Sequence, residues 1–163
     1  MAQSQADAVK NRDQIAAKMT PAEIAEVQEM ERGWKPKRQS AQVSWYRKGA
    51  DQGFADAQYN LGIMYANGRG IPQDYVQAHM WLNLAADQGY ATAQFNLGFM
   101  YAQGRGVPQD YVQAHMWPNL AAINGDADAI NNHDFVAAKM TPAQIAEAQK
   151  MAAEWKPEPE PER

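Results

Sequence analysis

Apolar residues recur at helical spacing through the middle of the chain, with polar residues between them. Between residues 55 and 67, four apolar side chains recur every three or four positions and define one helix face: Ala57, Leu61, Met64 and Tyr65. The Asn67-Gly68-Arg69-Gly70 segment ends this helix, because glycine readily adopts the left-handed backbone conformation that follows a helix C-terminus.

A second helix is predicted to follow directly. Pro72 suits the start of a helix, and Asp74 can accept hydrogen bonds from the first unpaired backbone N–H groups. Gly89 ends this helix, whose apolar face comprises Tyr75, Ala78, Trp81 or Leu82, and Ala85. Because Gly62 and Ala78 are small, we expect the two helices to pack closely. The pattern predicts a helical hairpin that cannot bury its apolar face alone.

This hairpin is repeated along the chain. Residues 53–88 and 89–124 match at 27 of 36 positions without a gap, and Trp45 lies one period before Trp81. A half-unit therefore precedes two full units, and stacked units would bury their apolar faces together, as in a solenoid. The pattern decays at His133-Asp134, where Leu and Gly would be expected.

The two ends of the chain share a different duplication. Residues 6–36 match residues 127–157 at 20 of 31 positions, and their offset of 121 residues is not a multiple of 36. Each copy contains Thr-Pro-Ala followed by Glu or Gln, a capping box that predicts a helix start. We interpret these segments as one terminal module that is present at both ends.

The repeated unit resembles the Sel-like repeat (SLR) family over roughly residues 39–130. The resemblance is carried by Ala57-Gln58-Tyr59-Asn60-Leu61-Gly62-Ile63-Met64-Tyr65-Ala66-Asn67-Gly68-Arg69-Gly70, Gln73-Asp74-Tyr75, Ala78, Trp81, Ala85-Ala86 and Gly89. It implies an all-α fold, a right-handed α-solenoid related to tetratricopeptide repeats. It also implies a concave surface lined by the first helix of each hairpin, and adaptor or scaffold activity rather than catalysis.

The expected organisation has four parts. They are an N-terminal helical module at 1–38 that resembles the C-terminal cap, Sel-like repeats at 39–130, capping helices at 131–156, and a Pro/Glu tail at 157–163. The repeats divide into a half-unit at 39–52, full units at 53–88 and 89–124, and a degenerate helix from residue 125. The tail should be extended and solvated, since proline and glutamate alternate in it.

A candidate binding surface emerges where the two full units differ. Their first helices differ at Asp56/Thr92, Tyr59/Phe95, Ile63/Phe99 and Asn67/Gln103, which fall within about an 80° sector opposite Leu61. We call these eight residues the variable stripe. Its rings, flanked by Asn60 and Asn96, suit an extended or helical peptide, whose backbone the amides would bind. The predicted partner-binding residues are Tyr59, Asn60, Ile63, Asn67, Phe95, Asn96, Phe99 and Gln103.

Two other interpretations of the variable stripe stay open. It can reflect neutral drift on a solvated face, or neighbouring hairpins can bury part of it as additional core. The apolar residues favour the binding surface, because such side chains are seldom left free in water on a monomer.

Other candidate sites are weaker. Arg69 and Arg105 lie in Gly-Arg-Gly loops that lack the lysine and spacing of a phosphate-binding loop, so we expect exposed loop arginines. His79 and His115 are one repeat apart, too distant to share a metal ion, and we expect both on the surface. We predict no cofactor and no metal site.

Composition argues against several activities. The chain has no cysteine, which excludes thiolate chemistry, and a net charge of −4, which argues against general nucleic-acid binding. Some Sel-like repeat proteins have been described as β-lactamases or penicillin binders, but no serine here is followed by lysine in an S-x-x-K motif. We therefore expect a protein that is not an enzyme and that does not insert into a membrane.

Two functions from different classes follow. The first is an adaptor that binds a peptide or protein segment on the concave face of the solenoid. The second is a structural module that self-associates through its duplicated ends: residues 6–36 could cover the open face before Trp45 or dock on another copy. Residues 1–37 could equally be a remnant of an upstream domain. The compartment is unknown: cytoplasmic as written, periplasmic or secreted if a signal peptide was removed.

Pro118 conflicts with its surroundings. It lies about two turns into a helix whose sister copy carries Leu82, and a proline there costs roughly 3 kcal/mol. We expect a kink or break near Trp117-Pro118 in the second copy only.

Overall fold

A computed structural model describes residues 17–25, 38–123 and 135–159, and within these ranges every regular element is a helix. The helices are α1 (Arg38–Asp51), α2 (Ala55–Asn67), α3 (Tyr75–Asp87), α4 (Ala91–Gln103), α5 (Tyr111–Ile123) and α6 (Pro142–Glu154). Residues 21–25 and 135–137 are also helical. The prediction of an all-α fold is confirmed. The degenerate helix expected from residue 125, the His133-Asp134 pair and residues 1–16, 26–37 and 160–163 lie outside the described residues.

Helices α2–α3 and α4–α5 form the two predicted hairpins. Gly68 and Gly104 follow the first helix of each with φ of 63° and 64°, the left-handed conformation that favours glycine. The Asp74 side chain accepts hydrogen bonds from the backbone N–H groups of Val76 (2.9 Å) and Gln77 (3.0 Å) and so caps α3. The Asp110 side chain caps α5 in the same way. Local sequence signals therefore set both ends of each loop.

The two helices of each hairpin approach closely at a glycine, as predicted. A Cβ atom on Gly62 would lie 2.8 Å from Leu82 Cγ, and one on Gly98 would lie 2.6 Å from the Pro118 ring. Both distances are shorter than real carbon–carbon contacts. Any larger residue at either position would therefore push the hairpin apart.

Of the kink or break expected at Pro118, the break is wrong, because α5 runs through this residue to Ile123, and the kink stays a prediction. The proline ring is buried and takes the place on Gly98 that Leu82 takes on Gly62. Proline still lacks the N–H that an ordinary residue would donate to the Ala114 carbonyl. Packing on α4 thus compensates for a weaker helix.

Successive hairpins are joined by buried glutamines. Gln94 Nε2 donates to the Ala86 carbonyl oxygen at 3.1 Å, and Gln58 Nε2 makes the equivalent bond to Ala50 at 3.4 Å. Within the first hairpin, the half-buried Gln88 supports this contact, since its Nε2 donates to the Gly53 carbonyl oxygen and to Gln58 Oε1, both at 2.8 Å. Because a buried carbonyl needs a partner, these bonds fix the position of each hairpin on the one before it.

The interior contains two apolar clusters. The first lies around α1 and α2 and includes Val43, Trp45, Tyr46, Phe54, Leu61 and Met64. The second lies around α3 to α6 and includes Leu82, Leu97, Met100, Met116, Trp117, Leu120 and Ala148. The stacked units therefore share continuous cores, as expected for a solenoid.

The described part of the N-terminal module packs on its own chain. Met19 is buried in the first cluster, and Lys18 Nζ lies 3.7 Å from Asp56 Oδ1. Thr20 and Glu23 form the predicted capping box, with Thr20 N–H donating to Glu23 Oε2 at 2.8 Å. The Thr20 hydrogen bonds hold the pKa of the Glu23 carboxyl below its ordinary value, and Gln52 also donates to that carboxylate.

The C-terminal module closes the other end of the array. Thr141 and Gln144 form the predicted capping box at the start of α6, which packs against α5. The Trp155 ring meets the Trp117 ring edge to face, with centroids 6.4 Å apart. Residues 156–159 are exposed and non-helical, and Glu158 N–H donates to the Asp87 carbonyl oxygen at 2.7 Å. The tail is thus tied to the end of α3.

We predict that Pro118→Leu stabilises the protein. Leucine restores the missing N–H donor, and Leu82 shows that this position accepts leucine against a glycine. The free energy of unfolding, measured by urea denaturation, should rise by about 1–3 kcal/mol. The matched variant Leu82→Pro should lower it. A loss of stability in Pro118→Leu would mean that the proline ring fills its site better than leucine does.

We also predict that Asp87→Asn stabilises the protein at neutral pH. Burial, and secondarily the nearby Glu158 carboxylate, raises the pKa of Asp87, while a hydrogen bond from Asn83 opposes the rise. A raised carboxyl pKa in the folded state means that stability falls as pH rises through that pKa. The advantage of Asp87→Asn in urea midpoint should therefore be present at pH 7 and shrink toward pH 3. The control is Asp51→Asn, at the exposed equivalent position. An advantage independent of pH would contradict the assignment.

Candidate functional site

The variable stripe lies on α2 and α4, on the side of each helix opposite its buried leucine. Leu61 and Leu97 are fully buried. Four stripe residues are exposed: Asn67, Thr92, Phe99 and Gln103. The other four are half-buried: Asp56, Tyr59, Ile63 and Phe95. Apolar exposure in the stripe is therefore concentrated at Phe99 on α4.

The apolar residues of the stripe on α2 take part in packing between hairpins. Tyr59 and Ile63 pack at the edge of the second cluster. The Tyr59 ring lies 5.0 Å from the ring of Tyr90, the residue that precedes α4, at an interplanar angle of 30°. Burial, and secondarily the Asp56 carboxylate, raises the pKa of Tyr90. Neighbouring hairpins thus cover part of the stripe.

Phe99 lies beside a cation. It is 41% exposed, and the Arg105 guanidinium carbon lies 6.0 Å from its ring centroid and 5.4 Å from that of Tyr75. The Arg105 loop passes directly over the start of α3: a Cβ on Gly106 (φ 72°) would lie 2.0 Å from the Tyr75 carbonyl oxygen. The loop arginine is exposed, as expected, but it also joins the two hairpins through aromatic rings.

The same arrangement recurs one unit later. Lys139 Nζ lies 5.9 Å from the Tyr111 ring centroid and 4.9 Å from that of Phe135. Tyr111 and Phe135 stand 36 residues after Tyr75 and Phe99, so Lys139 takes the role of Arg105. Phe135 is 61% exposed. Sequence reasoning missed this ring because the repeat pattern decays at the preceding two residues, although the 36-residue spacing from Phe99 could have revealed it.

The two flanking amides are engaged by their own helices. Asn60 Nδ2 donates to the Asp56 carbonyl oxygen at 2.6 Å, and Asn96 Nδ2 donates to the Thr92 carbonyl oxygen at 2.7 Å. The expectation that these amides bind the backbone of a bound peptide stays a prediction. In each case the Nδ2 atom donates to a backbone carbonyl oxygen of its own helix, which at Asn96 leaves the Oδ1 atom as the group that could face a partner.

The histidines differ from expectation. His115 is fully buried, with its Nδ1 atom 3.1 Å from Asn119 Nδ2, so its predicted surface position is wrong. The reason is that α5 is packed against both α4 and α6. His79 is half-buried, its ring meets the Tyr101 ring edge to face at 5.2 Å, and burial lowers its pKa.

The described residues contain neither a cluster of metal-binding side chains nor a membrane-spanning helix. Within residues 17–25, 38–123 and 135–159, no group of three or more His, Asp or Glu side chains could hold a metal ion. Over the same part of the chain, no helix combines the length and apolar character needed to cross a membrane.

Two solved structures resemble this chain. A protective antigen of uropathogenic Escherichia coli strains that displays an SLR fold matches with a TM-score of 0.73 and 30% sequence identity. The match covers 94% of this chain and 30% of the antigen. A Sel1 repeat protein from Oxalobacter formigenes matches with a TM-score of 0.52 and 41% identity, over 53% of this chain and 66% of that protein. Both likenesses confirm the solenoid fold.

Sequence comparisons identify two relatives and one repeat family. DAP3-binding cell death enhancer 1 of rat and of mouse is 44% identical over 39 residues, which are 24% of this chain and 8% of the relative. This chain therefore corresponds to only a small part of those proteins. The Sel1 repeat is matched at residues 43–54, 55–90 and 91–126, which together exceed half of the chain. The chain belongs to the Sel1 repeat family.

Proposed function

We propose that this protein is a non-catalytic adaptor that binds a peptide or protein segment along the first helices of its hairpins. Sel1 repeat proteins generally act as protein-interaction scaffolds, and their fold is typically not catalytic. The finer part of the proposal is the location on the concave face. The proposed contact residues are Tyr59, Asn60, Ile63, Asn67, Phe95, Asn96, Phe99 and Gln103.

The observation that carries the proposal is the exposed ring of Phe99. An aromatic side chain at 41% exposure costs hydration free energy unless something covers it. The fold does not require the residue at this repeat position to be exposed. The equivalent residue on α2, Ile63, is half-buried between hairpins. Phe99 also lies beside Tyr75 and Arg105, so a partner would meet a preformed aromatic and cationic surface.

Phe135 extends this surface beyond the residues that sequence patterns identified. It is 61% exposed, stands one repeat after Phe99, and has Lys139 above its ring. Two exposed rings at the same repeat position, each with a cation, suit a segment with apolar side chains and nearby carboxylates. Tyrosine, phenylalanine and arginine are also the residue types enriched at interface centres.

The amides would play a smaller part than the rings. With its Nδ2 bonded to Thr92, Asn96 would offer its carbonyl oxygen to a backbone N–H of the bound segment. Gln103 and Asn67 are exposed at the ends of α4 and α2 and would contribute to a polar rim.

Self-association through the duplicated ends is the alternative function, and it has less support. Met19 is buried in a cluster of its own chain, and Lys18 pairs with Asp56 of the same chain. A module that already packs on its own array has less apolar surface to offer a second copy.

We predict that Phe99→Asp abolishes peptide capture without unfolding the protein. Peptides selected from a displayed random library on the immobilised full chain should bind it saturably in fluorescence polarisation. Phe99→Asp should weaken them by at least about tenfold, because an exposed ring at an interface centre contributes more than about 1.4 kcal/mol. The melting temperature, followed by circular dichroism, should hold, since Phe99 is already in contact with water.

The matched control is Ala153→Asp, which adds the same charge at an exposed position of α6, outside the variable stripe. Its binding of the same peptides should be unchanged. Selected peptides that bind Phe99→Asp as tightly as the unmodified protein would refute the proposed surface. A library that yields no specific binder would refute the peptide-adaptor function itself.

A further inference from the structure

Identical sequences in the two full units have opposite environments. The segments at 75–81 and 111–117 both read Tyr-Val-Gln-Ala-His-Met-Trp. In α5, Met116 and Leu120 are each only 4% exposed. In α3, the equivalent Met80 and Leu84 are 41% and 39% exposed, and Val76 before them is 62% exposed. The difference must come from what lies outside each helix.

Helix α6 accounts for the burial on α5. It packs directly against α5, and its Ala148 and Ala152 belong to the same cluster as Met116 and Leu120. Met151 and Trp155 pack at the edge of that cluster. The outward face of α5 is therefore covered by an amphipathic helix whose contact residues recur every three or four positions.

On α3 the same face is open. Val76, Met80 and Leu84 are spaced four residues apart and lie within about an 80° sector, opposite Ala78 and Leu82, which face α2. We call these three residues the α3 stripe. They form a continuous apolar row on one helix, and it is distinct from the variable stripe of α2 and α4.

The apolar character of the α3 stripe is not required by the repeat. One unit earlier, the corresponding sequence positions in α1 are Ser40, Ser44 and Lys48. The second helix of a Sel-like unit can therefore carry polar residues at these positions. In the α3 stripe, Met80 and Leu84 are instead identical to Met116 and Leu120, the α5 residues that share a cluster with α6.

We infer that the α3 stripe is a docking surface for an amphipathic helix of the α6 type, supplied by a partner protein. Such a helix would present small residues and methionine or tryptophan in one row, as Ala148, Met151, Ala152 and Trp155 do in this chain. Its contacts would repeat, one unit earlier, those that α6 already makes on α5. The inference does not depend on the peptide surface proposed above, which uses other residues.

The test uses a synthetic peptide of residues 139–159 of this chain as the probe. A side-chain lactam between Lys150 and Glu154 would hold it helical, because these two residues are exposed and already lie 3.8 Å apart. The fluorescent peptide is titrated into the full chain. We expect saturable binding, and we expect at least tenfold weaker binding to Met80→Lys. Phe99→Asp, which alters only the variable stripe, should bind the peptide as well as the unmodified protein does.

Methyl NMR separates the two places where the peptide could bind. With the methionine methyl groups labelled with carbon-13, the Met80 signal should shift on titration and the Met116 signal should stay in place. Binding that persists in Met80→Lys, or that shifts Met116 instead, would mean that the peptide only displaces α6 from α5, and would overturn the inference. A helical peptide that does not bind the unmodified chain would overturn it as well.

Discussion

The close approach of the two helices in each hairpin is the constraint on which the rest of the structure depends. At Gly62 and Gly98 there is no room for a Cβ atom, because the side chain at 82 or 118 occupies that space. Leu61 and Leu97, which precede these glycines, are fully buried. The close approach fixes which face of α2 and α4 points inward, and therefore which face remains for partners.

Because the unit is repeated, this local contact recurs along the array, and equivalent helix faces line up into extended surfaces. Gln94 and Gln58 bond to carbonyl groups of the preceding hairpin, so each unit is placed on the last in the same way. Residues at the contacts between units consequently recur at a spacing of 36, as Gln58 and Gln94 do. The pairing of Arg105 with Phe99 and of Lys139 with Phe135 shows that this order persists even where the sequence pattern has faded.

What could be predicted from the sequence was governed by local chemistry. Glycine stops, aspartate caps and the capping boxes depend on neighbouring residues, and the structure contains them as predicted. The burial of His115 and the unbroken helix at Pro118 could not be predicted, since each depends on a helix distant in sequence. The packing of Tyr59 on Tyr90 is also a contact between hairpins, and it agrees with the alternative that neighbouring hairpins bury part of the variable stripe.

The C-terminal end shows how a small change in the repeat creates a different contact. Phe135 keeps the 36-residue spacing from Phe99, but Thr141 caps α6 only 31 residues after Asp110 caps α5 (141 − 110). The stretch from Phe135 to Thr141 (6 residues) is therefore five residues shorter than the stretch from Phe99 to Asp110 (11 residues), so α6 begins five residues before the position one full unit after the start of α5. Whereas α3 and α5 barely touch, α6 packs on α5 and covers its outer face. Two helices with the same first seven residues thus differ in exposure because α6 packs on α5. In a repeat protein of this kind, the surface that a unit offers is decided as much by its neighbours as by its own residues.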